Sequence, residues 1–223
     1  MLKFVRLGRA LVTALLLPFA ALAQPVITIV ERERISGPEF AVPASAWHRL
    51  NLTLVNIEGS GWTRDQAVAA LREADAIFGQ CGVAIDSVEW LSLSAPPRFL
   101  LFSTPVAREL ARLQPVKRPA VYLVRDTRNR PAFDAEAIGR GNSQGRPEIA
   151  DTVWITVANA GTRDAGIVFA HELAHVLMNS GEHSEEPGNL MRERTTTGGT
   201  ALSAAQCARL RDMGSGNGLL TQP

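Results

Sequence analysis

Regular patterning begins at residues 50–55, where Leu50, Leu52 and Leu54 alternate with Asn51 and Thr53. A period of two predicts a strand with one buried face. Glycines 59 and 61 break it, and Thr63 with Gln66 three residues later reads as a capping box at a helix start. Val68, Leu71, Ala74 and Phe78 then recur at helical spacing as far as Gly79. After Gly82 the run VAIDSVEWLSL predicts one or two short strands, and Ser103 and Thr104 ahead of Pro105 predict a short helix. AVYLV at 120–124 and TVWITV at 152–157 are apolar strands, and residues 125–147 read as surface loop around an edge strand. Thr162 or Asp164 opens a helix that is apolar nearly all round from Ile167 to Met178, as a central helix is. Ser203 with Gln206 caps a last helix containing Cys207 and Leu210, and residues 214–223 read as a flexible tail. This order of elements predicts an α+β (α/β) chain.

The N-terminus changes the picture. Lys3, Arg6 and Arg9 precede an apolar run at 11–22, with small residues at Ala21 and Ala23. That layout predicts a secretory signal peptide over residues 1–23, too short in its apolar part to span a membrane comfortably. The signal takes three of the 23 basic residues and none of the 22 acidic ones, leaving 20 against 22 and a net charge of −2. No basic stripe points to nucleic acid, and no second apolar run points to a membrane span after cleavage. Residues 24–46 form an N-terminal extension readable as an edge strand or a short pro-segment, and residues 47–213 a single domain. An exported chain, periplasmic or secreted, with only Cys81 and Cys207 favours a disulfide between them over two buried thiols.

The chemistry is concentrated at residues 171–175, His-Glu-Leu-Ala-His. On a helix, His171 and His175 present two imidazoles on one face, one turn apart. Glu172 projects about 60° around the axis from His175, near enough to serve a water without ligating a metal. Two neutral nitrogens at this spacing suit zinc, which acidifies a bound water for a carboxylate base. Three of the four histidines fall between 171 and 183, a clustering that a metal site explains and solvation does not. His48, far upstream, reads as structural.

The stretch HELAHVLMNSGEHSEEPGNLM resembles the active-site helix, third histidine and methionine turn of the metzincin zinc peptidases, closest in layout to the matrixin-like branch. His183, Ser184, Pro187, Leu190 and Met191 stand at that branch's offsets. The resemblance implies a mixed, twisted sheet with a central active-site helix and an irregular C-terminal subdomain ending in a helix. It also implies one zinc ion on His171, His175 and His183, Glu172 as general base, and Met191 as a hydrophobic floor. The chain departs from the family in one place. Met178 stands where the family has glycine, and seven residues rather than five separate His175 from His183. This predicts a helix about one turn longer, leaving through a left-handed Gly181, with Glu182 and Glu185 as competing third ligands. Cys81-Gly82 has a passing likeness to the cysteine switch of matrixin zymogens, without its flanking proline and arginine. The function these features predict is an exported zinc endopeptidase acting on a peptide or protein substrate. The alternatives are a zinc-stabilised binding domain without catalysis and a metal-free module.

Overall fold

The computed structural model of the chain describes residues 26–37, 40, 46–129, 135–156 and 164–223. The expected signal peptide lies outside the described residues. The strands are β1 (Thr28–Ser36), β2 (His48–Ile57), β3 (Val83–Ser94), β4 (Leu101–Phe102), β5 (Ala120–Val124), β6 (Asp126–Thr127), β7 (Ala135–Ile138), β8 (Thr152–Thr156) and β9 (Leu220–Thr221). The helices are α1 (Arg64–Gly79), α2 (Thr104–Leu113), α3 (Ala165–Met178) and α4 (Ala204–Gly216). The fold is mixed α+β, as the order of elements predicts.

The main sheet runs β1-β3-β2-β5-β8-β7, with β9 paired to the start of β2. β3, β2, β5 and β8 are mutually parallel, whereas β1 and β7 join antiparallel at the two edges. α1, α3 and α4 pack on one face, against Leu50, Leu54, Val121 and Val153. α2 packs on the other, against Val55, Tyr122 and Trp154, whose last two rings stack 4.1 Å apart. Parallel central strands covered on both faces are buried throughout. For that reason the one-sided alternation read into β2 gives way: Thr53 and Val55 are buried as completely as Leu54. Thr53 is satisfied by donating to the Lys117 carbonyl at 3.0 Å.

The segment after Gly82 is one strand of 12 residues rather than two short pieces. A bulge at Asp86, where its register against β2 shifts, lets it continue. The described part of the N-terminal extension is built into the domain as edge strand β1. Ile35 and Phe40 are buried, and Arg64 holds Glu33 by two bonds of 2.6 and 2.7 Å. The segment expected as a flexible tail is likewise structured. α4 runs on to Gly216, Leu219 and Leu220 are buried, and β9 pairs with Arg49 and Leu50. Its Gly/Ser/Asn composition concealed two leucines that anchor it.

Both capping boxes form as the sequence predicts, Thr63 with Gln66 and Ser203 with Gln206. Cys81, just past α1, is bonded to Cys207 of α4, with 4.9 Å between Cα atoms. The bond leaves no thiol for a cysteine switch.

Candidate metal centre

α3 lies between the sheet and helices α1 and α4, which is why its apolar residues are buried all round. Its start is tightly seated on α1. A Cβ at Gly166 would lie 2.2 Å from Oε2 and 2.4 Å from Cβ of Glu73, so only glycine permits this approach. Glu73 also shares a hydrogen bond with Asp164, the residue just before the helix, and this with burial pushes its carboxyl up to about 7.

The helical spacing brings His171 and His175 together, with their Nε2 atoms 3.0 Å apart. Each ring is held from behind by a backbone carbonyl. Nδ1 of His171 lies 2.8 Å from the Leu190 oxygen, and Nδ1 of His175 lies 2.7 Å from the Ser180 oxygen. A carbonyl can only accept, so both Nδ1 atoms carry the proton and both Nε2 atoms of the neutral rings present lone pairs. Burial lowers the pKa of His171, and burial with the neighbouring His171 lowers that of His175 to about 4. Two bare lone pairs face each other across 3.0 Å, an arrangement that a cation between them stabilises.

His183, exposed on the following loop, completes the group. The ligand atoms of the three histidines lie within 4.8 Å of one another, and the His183 ring centroid is 5.5 Å from that of His171 and 5.0 Å from that of His175. Two nitrogens on a tetrahedral zinc stand about 3.3 Å apart, given bonds of about 2.0–2.1 Å, so the three imidazoles suit the ion in chemistry and the 3.0 Å between His171 and His175 is close to its spacing. Neither Glu182 nor Glu185 belongs to the cluster. Glu182 instead pairs with Arg209 of α4 at 2.7 Å.

The longer connection is accommodated otherwise than the sequence predicts. α3 ends at Met178, not a turn later, and the left-handed residue is Asn179 (φ 46°) rather than Gly181. Asn179 N–H donates to the Val176 carbonyl at 3.1 Å and Ser180 N–H to the His175 carbonyl at 3.0 Å, a Schellman ending. Asparagine tolerates this conformation, so the helix stops at the first residue able to turn it. The surplus residues enter the loop, and the same turn aims the Ser180 carbonyl back at His175.

Glu172 sits partly buried beside the histidines. Burial pushes its carboxyl up to about 8, the Glu136 carboxyl adds to the rise, and a hydrogen bond from Ala137 N–H opposes it. These groups line a cleft of about 470 Å³ that also includes Asn179, with edge strand β7 along one wall. Met191 is fully buried, and its carbonyl accepts Ser184 N–H at 2.7 Å, next to His183. His48 opens β2 and is not part of the cluster. Sequence reading missed Glu136, Asn179 and the carbonyls of Leu190 and Ser180. Backbone acceptors carry no residue signature, and Glu136 lies in the segment read as surface loop around an edge strand, with nothing in its pattern to aim it at the histidines.

Among the described residues, no helix is long and apolar enough to cross a membrane. No protein family matches the chain in sequence, and no curated protein matches it either. In fold the chain is similar to metalloproteinase-II from Bacteroides fragilis, with a TM-score of 0.52 and 14% identity. The match covers 78% of this chain and 55% of that one, so the chain spans little more than half of that structure's length. At this identity the likeness is one of fold.

Proposed function

We propose that the chain is an exported zinc endopeptidase in which His171, His175 and His183 hold the metal and Glu172 is the general base. The observation that carries this reading is the pair of unprotonated Nε2 atoms 3.0 Å apart, with His183 beside them and a carboxyl at the next position of the helix. A zinc ion held there supplies electrophilic polarisation of a carbonyl and acidification of water. Although burial raises its carboxyl pKa, Glu172 is ionised in the field of a bound cation, and that carboxylate takes a proton from the attacking water and returns it to the leaving amine. Ala137 N–H orients the Glu172 carboxylate, tying the base to the edge strand. The wall of the cleft favours a peptide substrate. β7 is the outermost strand of the sheet beyond β8, so an extended chain can add to its outer edge through main-chain hydrogen bonds. Met191 serves as the apolar floor, and the N-terminal residues 1–23 direct export.

The alternative is a binding domain of the same fold that keeps zinc but not catalysis. A retained carboxyl beside the ligands argues against it, since a purely structural site closes its fourth position and has no use for a base. The test is zinc content together with cleavage of a generic protein substrate, wild type against Glu172→Gln. We expect one zinc per chain in both, with hydrolysis lost by roughly 10²–10⁴-fold in the variant. Substantial activity in a zinc-loaded Glu172→Gln would overturn the base assignment, and a wild type with zinc and no hydrolysis would favour the binding domain.

A further inference from the structure

The histidines are aimed by carbonyls, and those carbonyls must themselves be held. Leu190, whose oxygen lies 2.8 Å from His171 Nδ1, and Met191, whose oxygen accepts Ser184 N–H at 2.7 Å, belong to one irregular turn. No regular helix or sheet ladder fixes that turn. Its ties include the Leu190 N–H bond to the Ala201 carbonyl at 2.7 Å, the Ala201 N–H bond to the Gly188 carbonyl at 3.0 Å and the side chain of Asn189.

Asn189 is only 3% exposed, and every polar atom of its amide is used. Oδ1 accepts Met191 N–H at 2.8 Å and the Gln206 Nε2–H at 3.2 Å, while Nδ2 donates to Gln206 Oε1 at 2.9 Å. Two primary amides therefore lie head to tail, one on the turn and one on α4. Gln206 is the same residue that closes the capping box, its Oε1 also accepting Ser203 N–H at 2.8 Å. α4 in turn is fastened to the end of α1 by the Cys207–Cys81 bond. A continuous path of close contacts thus leads from α4 to the acceptor behind one histidine and to the residue after another.

We propose that Asn189 is a positioning residue for the metal centre, holding the Leu190 and Met191 carbonyls in place, and that Gln206 of α4 is the fixed partner it works against. The inference rests on the zinc-site reading above. A partner behind a ligating histidine fixes its tautomer and orientation, and its loss weakens metal binding by about 10–100-fold. Asn189 stands one bond further out, so the lower part of that range applies.

The test is zinc affinity, measured by competition with a chromophoric chelator, together with the visible absorption of the Co²⁺-substituted protein. Asn189→Ala should bind zinc about 10-fold more weakly and alter the Co²⁺ spectrum. Gln206→Ala should show the same effect, and the double variant no more than either alone, because both changes break one linkage. Gln206→Glu keeps the capping box but sets a carboxylate oxygen against Asn189 Oδ1 where the Nε2–H stood, so its affinity should fall as in Gln206→Ala although the helix cap survives. Thermal melting of the metal-free proteins identifies any variant that fails to fold. Should Asn189→Ala misfold, Gln206→Glu decides alone: weakened zinc binding with an intact cap supports the linkage, and wild-type affinity overturns it. Wild-type zinc binding with unchanged affinity and spectrum in the folded alanine variants would overturn this proposal and leave the zinc site standing. A wild type that binds no zinc would remove both.

Discussion

Oδ1 of Asn179, the left-handed residue that ends α3, accepts the backbone N–H of Gly141 at 3.0 Å. One side chain thus ends α3 and pins the 139–142 segment, which lines the cleft. The two duties separate by substitution. Asn179→Gly keeps the left-handed backbone and loses only the bond to Gly141. Asn179→Ala loses the bond and keeps a Cβ in the left-handed region without asparagine's polar side chain, a cost of about 1–2 kcal/mol relative to glycine. Urea denaturation should find the alanine variant the less stable by about that difference, while both raise KM for a peptide by loosening the rim. Equal stability of the two would show that the turn does not constrain the helix end.

The His183 ring clusters with the other two, which supports the proposal that it is the third ligand. His183→Ala should weaken zinc binding by more than about 100-fold, the upper end of what a lost partner behind a ligand produces. Glu185→Ala should leave it unchanged. Glu182→Ala removes an exposed ion pair with Arg209, of a kind that contributes about 0–1 kcal/mol, and should change affinity by only a few-fold. Chelator competition across the three variants checks the assignment, and a glutamate whose loss matches that of His183 would move the third ligand.

The Cys81–Cys207 bond closes a separation of 126 residues and joins the end of α1 to α4, the helix that carries Gln206. Thiol titration of the denatured, unreduced protein should find no free thiol. Replacing both cysteines by serine should lower stability by about 2–5 kcal/mol. Two free thiols in the titration would remove the bond from the account.

Glu73 and Asp164 form a carboxyl pair at the start of α3. Their hydrogen bond, burial and mutual repulsion push the Glu73 carboxyl from 4.5 up to about 7. A folded-state value above the unfolded one means that the protonated form favours folding. The stabilisation is complete below pH 4.5 and is lost as pH rises through about 7. Glu73→Gln should therefore flatten the fall of Tm across that window. At pH 8 it should raise Tm by about 2–4 °C, the response of a domain of about this size to about 1 kcal/mol. A parallel pH profile in the variant would count against the pair.

Local rules accounted for much of the molecule. The capping boxes at Thr63 and Ser203, the strands at 120–124 and 152–156 and the amphipathic spacing of α1 all follow from patterns spanning a few residues, and they form where those patterns stand. The pairing of His171 with His175 belongs to the same class, because helical geometry alone puts residues four apart on one face. So does the bridge, which two cysteines allow in only one way. What the sequence could not decide depends on groups that meet across the fold. The second buried face of β2 exists because α2 covers it, and the loose-looking C-terminal residues are held because β2 offers an open backbone partner. The helix end moved from Gly181 to Asn179 because two capping hydrogen bonds and the Gly141 contact favour the earlier turn, and only the packed structure contains that contact. The acceptors behind the histidines are backbone carbonyls, which every residue owns; tertiary structure alone selects Leu190 and Ser180 from among them.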